Sequence, residues 1–289
     1  MKNRVNLRVD FAFKQLFGTQ GNEEILMRFL NEVLQKSLVS PITSVSLEDP
    51  HLHKEYKEDK LSIMDVRATL GTGELVNIEI QLANKHDIQK RSLYYWSKLY
   101  ASQMQEGMPY SELQKAITIN VLDFVLYPNQ EHFQTTGILW DVEKELRISE
   151  DIEIHYIEMP KIIAQWREEQ VNPWHDSLVR WLLLLAANED QNLTDTLEAI
   201  AMEQDETLQK AIDKWDNMSH NQSFRREYEA REKVLLDEKA AVAHAEKKGI
   251  EKGIAQLVRN MSNRGTLPSK IAELTGLELE EVQRILRLS

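Results

Sequence analysis

The sequence has 289 residues, enough for one large domain or two modest ones, and 42% of them are hydrophobic, so a substantial core is available and wholesale disorder is excluded. It has no cysteine, which excludes disulfides and Cys-ligated zinc or iron–sulfur sites and is compatible with a cytoplasmic location. The formal net charge of −12 argues against a general polyanion binder, but local basic patches remain: Lys247 to Ser289 has eight Lys/Arg against five Asp/Glu, and Lys85 to Lys98 has four against Asp87 alone.

In chain order, MKNRVNLRVDFAFK has no uninterrupted apolar run and does not read as a signal peptide. Asp10 is placed to cap a short helix through Phe17 that ends at Gly18. Asn22 is placed to cap a second, in which Ile25, Leu26, Phe29, Leu30, Val33 and Leu34 recur at helical spacing. Pro41 opens a strand-like ITSVSLE, and HLH at His51 to His53 reads either as a loop or as a strand with both imidazoles on one face.

SIMDVRATLGTGELVNIEIQ, Ser62 to Gln81, reads as a β-hairpin around Gly71-Thr72-Gly73. With Leu70 opposite Glu74, Asp65 falls opposite Glu79, and Asn77, Glu79 and Gln81 share a face. Facing carboxylates destabilise a hairpin and call for compensation. Arg67 or a nearby lysine would give a solvated, charge-balanced sheet face; a divalent cation, held by one or two carboxylates with water completing its shell, would give a metal site.

Asp87 is placed to cap a helix through Gln105 that Gly107 and Pro109 stop, KAITINVLDFVL reads as a buried strand, and IEIHYIEM as another. After Trp166 the pattern is helical. LVRWLLLLAA is too short to span a membrane and reads as a buried helix. Gly249 and Gly253 predict a bend or close packing in a long charged helix, and the C-terminal LPSKIAELTGLELEEVQRIL reads as helix, Thr-Gly turn, helix. The expected organisation is a core over 1–165, a helical extension over 166–262 and a short helical tail over 263–289.

Asp65 followed by Glu79-Ile80-Gln81 resembles the D…(D/E)xK signature of the PD-(D/E)XK nucleases. With DFAFKQLFG, FLNEVL, MDVRA, VNIEIQ and KRSLYYWSKLYASQMQEGMPY in that order, the first 160 or so residues resemble the recombination-promoting nuclease (Rpn) and transposase-like branch. The resemblance implies an α/β (α+β) fold, with a restriction-endonuclease-like core in which a mixed central sheet is flanked by helices, followed by a helical C-terminal region. It also implies Mg²⁺-dependent hydrolysis of DNA phosphodiesters, with Mn²⁺ or Ca²⁺ able to substitute in binding. Asp65, Glu79 and the carbonyl of Ile80 match the metal ligands, and Gln81 stands where many of these nucleases carry lysine.

Asp10 and Lys14 match the branch's DxxFK and read as site residues or as a helix cap with a solvated lysine. Arg91, one turn from Tyr95, reads as a phosphate contact or a surface salt bridge. Tyr94, Tyr95, Trp96 and Tyr100 read as core before stacking platform. The partners expected are DNA and a second copy of the chain, with no membrane. The competing function is a catalytically silent nuclease-like scaffold, and a third reading is the same core acting on RNA.

Overall fold

The computed structural model describes residues 4–49, 51–52, 62–63 and 65–287. Val9 occupies the N-cap position and Asp10 is the first residue of helix α1, Asp10–Phe17, so Asp10 is not the cap that the sequence suggests; its Oδ1 instead accepts the Phe11 N–H at 2.8 Å. Asn22 precedes α2, Glu23–Val33, without a side-chain cap bond of its own. Its amide donates to the carbonyls of Gln15 and Leu16, so it satisfies the end of α1 instead. The whole apolar stripe of α2 is buried, as its periodicity requires.

The strands are β1 Val45–Leu47, β2 His51–Leu52, β3 Ser62–Ile63, β4 Val66–Leu70, β5 Leu75–Gln81, β6 Ala116–Leu122, β7 Gln134–Asp141 and β8 Leu146–Glu158. Six form one mixed sheet in the order β1-β4-β5-β6-β8-β7, with β5, β6 and β8 parallel in its centre. The hairpin has the predicted register: Val66 faces Ile78, Thr69 faces Leu75, and the Leu70 N–H bonds the Glu74 carbonyl at 2.9 Å. Its first arm is shorter than predicted. The chain bends at Asp65, and Ser62–Ile63 pairs with His51–Leu52 in a separate two-stranded ladder. The backbone of His51 is therefore a strand, while His53 lies outside the described residues.

The central strands are buried on both faces. Val76, Ile78, Ile80, Ile117, Ile119 and Val121 join the main core with α1, α2 and the later helices. The other face is covered by α3, Ile88–Ala101, which crosses from β5 to the parallel β6. It ends four residues before Gln105, and Gly107 supplies the positive φ of the turn beyond it.

Beyond β8 the chain is helical: α4 Met159–Arg167, α5 Ser177–Leu184, α6 Gln191–Gln204, α7 Glu206–His220, α8 Gln222–Asn263, α9 Pro268–Thr275 and α10 Leu279–Arg287. Buried Arg180 is matched by Asp205 at 2.7 Å, which is how a charge survives inside the apolar α5. No helix among the described residues is long and apolar enough to cross a membrane. Contacts divide the chain into two compact units, Met1–Leu235 and Leu236–Ser289. In the second, Val258, Ile271 and Val282 form a small core between the end of α8, α9 and α10, with Gly276 in the left-handed conformation after α9. Gly249 and Gly253 face open space, so close packing does not account for them.

Candidate nuclease site

The sheet and two helices bring the predicted residues together. Asp65 sits at the bend entering β4, with its side chain 11% exposed. Its Oδ2 accepts the Ile80 N–H at 2.9 Å, and its own N–H donates to Glu79 Oε1 at 3.3 Å, so the hairpin itself locks the two acids side by side. Glu79 is buried on the α3 face of β5. Asn77, two residues earlier on that face, donates its amide to Glu79 Oε1 at 3.3 Å.

Cations come from the flanking helices. Lys14 Nζ lies 3.1 Å from Asp65 Oδ1, and Arg91 NH2 lies 3.3 Å from Glu79 Oε2. Arg91 also donates to Gln81 Oε1 at 3.2 Å and lies over the Tyr95 ring, 5.0 Å from its centroid. The crossover makes this possible: α3 starts soon after β5, so Arg91 in its first turn reaches Glu79 and Gln81. Asp10 is turned elsewhere. Both its oxygens are held by Arg231 on α8, at distances down to 2.6 Å, although its charge still reaches Asp65. Arg67 takes no part in the compensation; it donates to Ser102 Oγ at 3.4 Å.

The electrostatics follow from burial. Removal from water raises the Asp65 carboxyl above its usual range, against the opposing pull of Lys14. Burial, then the neighbouring charge of Asp65, likewise raises Glu79, against the pull of Arg91. Each acid has one cation against it, yet burial outweighs both cations, so the pair is not a solvated sheet face.

The residues fit a hard divalent cation. The available donors are carboxylate and carbonyl oxygens, and beside Glu79 the side-chain oxygen of Asn77 is buried without a hydrogen-bond partner. Among the described residues no group of three or more His, Cys, Asp or Glu is placed to hold an ion. An ion at Asp65 and Glu79 would therefore draw on two carboxylates, a main-chain carbonyl and water, the sparse set that Mg²⁺ accepts.

A family model described as PD-(D/E)XK nuclease family transposase matches residues 7–245. The chain belongs to this family. The match spans the sheet, the hairpin with both acids, α3, and the helices through the first half of α8, and the mixed sheet flanked by helices is the fold expected of a PD-(D/E)XK nuclease. Membership supports a nuclease function in general, in a superfamily that generally uses divalent metals. No curated protein and no solved structure gives a match.

Two participants escaped the sequence reading. Asn77 was legible only as a face neighbour of Glu79. Arg231, which holds Asp10, lies 221 residues away from it and carries no local signal.

Proposed function

We propose that the protein is a divalent-metal-dependent endonuclease that hydrolyses DNA phosphodiesters. The observation that carries this reading is the pair of adjacent, buried carboxylates, Asp65 and Glu79, held raised in pKa at the entrance of a hairpin with Lys14 and Arg91 around them. Such perturbed pairs concentrate at functional sites.

Asp65, Glu79 and the Ile80 carbonyl would hold the ion. When bound, a divalent cation supplies Lewis-acid polarisation of a phosphoryl oxygen and a water of lowered pKa. Lys14 takes up the part that lysine plays at the Gln81 position in many PD-(D/E)XK nucleases. It reaches Asp65 from α1, and its ammonium is placed to stabilise the negative charge that develops on the attacking oxygen and the phosphate. Gln81 offers only a dipole, and in this arrangement it orients Arg91. Arg91, steadied over Tyr95, presents a planar fork suited to a phosphate oxygen once an ion has relieved it of Glu79.

This reading includes a cytoplasmic location, a nuclease core over 1–165 with a helical extension and tail, a homo-oligomeric state and a role in recombination or mobile-element defence. One observation favours the alternative of a catalytically silent scaffold: Lys14–Asp65 and Arg91–Glu79 already pair each acid with a cation. Incubating supercoiled plasmid and single-stranded RNA with the protein in Mg²⁺, Mn²⁺ or EDTA separates the readings. Metal-dependent nicking of the plasmid supports the endonuclease, cleavage of RNA alone moves the substrate to RNA, and no cleavage of either supports the scaffold.

A further inference from the structure

The sheet ends on β7. At the other edge β1 is only 3 residues long, whereas β7 has 8 and runs Gln134-Thr-Thr-Gly-Ile-Leu-Trp-Asp141 with no Lys, Arg or Pro along it. Its only strand partner among the described residues is β8, so its outer edge presents backbone N–H and C=O groups free of any ladder. The hairpin continues past the body of the sheet, because β6 pairs with β8 only from Ile152 onward. The register shifts on either side of Leu139 put the extra residues in β8, between Arg147 and Glu153, and leave β7 itself continuous.

The arm exposes large apolar side chains on both faces. Ile138, Leu139, Trp140, Val142, Leu146 and Ile148 are each 40–84% exposed. A specific dimer needs about 600–1,000 Å² from each partner; these exposed side chains, on two faces, would supply part of it beside the open backbone edge.

We propose that β7 is the dimerisation edge of this protein, pairing antiparallel with β7 of a second copy across a two-fold axis, so that the two six-stranded sheets become one of twelve. Charge selects this occupant. Between Asp141 and Asp151 the arm carries five acids against Lys144 and Arg147, which repels a nucleic acid. The same acids allow an antiparallel copy, because the acid-rich tips then lie at opposite ends of the joint and the uncharged Gly-Ile-Leu-Trp meets its own image. A parallel pairing would set the tips side by side.

The absence of native cysteine gives a direct test that needs neither metal nor DNA and is independent of the nuclease reading. Single cysteines are placed at Gly137, Ile138, Leu139, Trp140 and, as an exposed control, Val125, and each full-length variant is oxidised under mild conditions. Light scattering of the wild type should give twice the chain mass at tens of micromolar, at least one β7 cysteine should cross-link at least tenfold faster than the control, and Leu139→Glu with Trp140→Glu should give the mass of one chain with an unchanged melting temperature. A monomeric wild type overturns the proposal. So does a dimer that survives the double substitution, or one in which no β7 cysteine outpaces Val125→Cys. If the double variant fails to fold, the cross-linking series decides alone.

Discussion

Replacing Glu79 by glutamine tests whether this carboxyl is held against its charge by the fold. Burial and Asp65 raise it to about 8, from an ordinary value near 4.5. The folded state therefore binds the proton more tightly than the unfolded chain. The stability contributed by the neutral, buried carboxyl is complete below about pH 4 and drains away as the pH rises through about 8. At about 1.4 kcal/mol for each pH unit, the loss is on the order of 3 kcal/mol by pH 7 and 5 kcal/mol by pH 9. Glutamine does not titrate. Its Oε1 can still accept from Asp65 N–H and the Asn77 amide, the two bonds that Glu79 Oε1 accepts at 3.3 Å. Urea unfolding followed by tryptophan fluorescence in EDTA at pH 5, 7 and 9 should show Glu79→Gln overtaking the wild type and widening its lead with pH, groups remote from the Asp65–Glu79 pair cancelling in the difference. The same variant should lose metal-dependent cleavage. Parallel pH dependence in the two proteins would refute the argument, because it would mean that Glu79 titrates as in the unfolded chain.

Asp65→Ala should remove the rise in melting temperature that Mg²⁺ or Mn²⁺ gives the wild type, a stabilisation of about 2.7 kcal/mol at a hundredfold excess over Kd; a variant still stabilised by the ion would place the metal elsewhere. Lys14→Ala should lower kcat by about 10²–10³, the usual cost of losing one positioned transition-state donor, while circular dichroism stays unchanged; full activity would remove Lys14 from the chemistry. Gln81→Lys should keep the fold, since the half-buried side chain borders the site, but should weaken Mg²⁺ or Ca²⁺ binding by setting a further cation beside Glu79; an unaffected metal affinity counts against an ion at Asp65 and Glu79. A chain ending at Glu246 keeps the family-matched 7–245 and drops the Val258–Ile271–Val282 core, so metal-dependent cleavage should remain detectable; its complete loss in a folded truncate would make the tail part of the catalytic machinery.

The register of the hairpin was legible because Gly71-Thr72-Gly73 fixes the loop length and the strand period of two does the rest. The buried β6 and the packed stripe of α2 were legible for the same reason: their apolar pattern has one solution. Strand β7 was missed because its pattern is not that of a half-buried strand; its middle is exposed on both faces, and Gly137 with two threonines reads as loop. Asp10 misled because an acid at a helix start resembles a cap, whereas the cap position belongs to Val9 and the carboxylate is taken by Arg231. That the first arm stops at Asp65 depends on the competing pairing of His51–Leu52 with Ser62–Ile63, which no local signal announces. The two acids and their spacing could be read in the sequence. The cations that stand against them could not be assigned, because Lys14 comes from another helix and Arg91 reaches Glu79 only through the crossover.

The central claim, that Asp65 and Glu79 form a working metal centre for phosphodiester hydrolysis, is tested most directly by plasmid cleavage with the wild type and Asp65→Ala side by side in Mg²⁺, Mn²⁺ and EDTA. The account predicts nicked or linear product from the wild type with either ion, none in EDTA, and none from Asp65→Ala under any condition. Cleavage by Asp65→Ala at the wild-type rate, or a folded wild type that leaves the plasmid intact with every divalent ion, would contradict it.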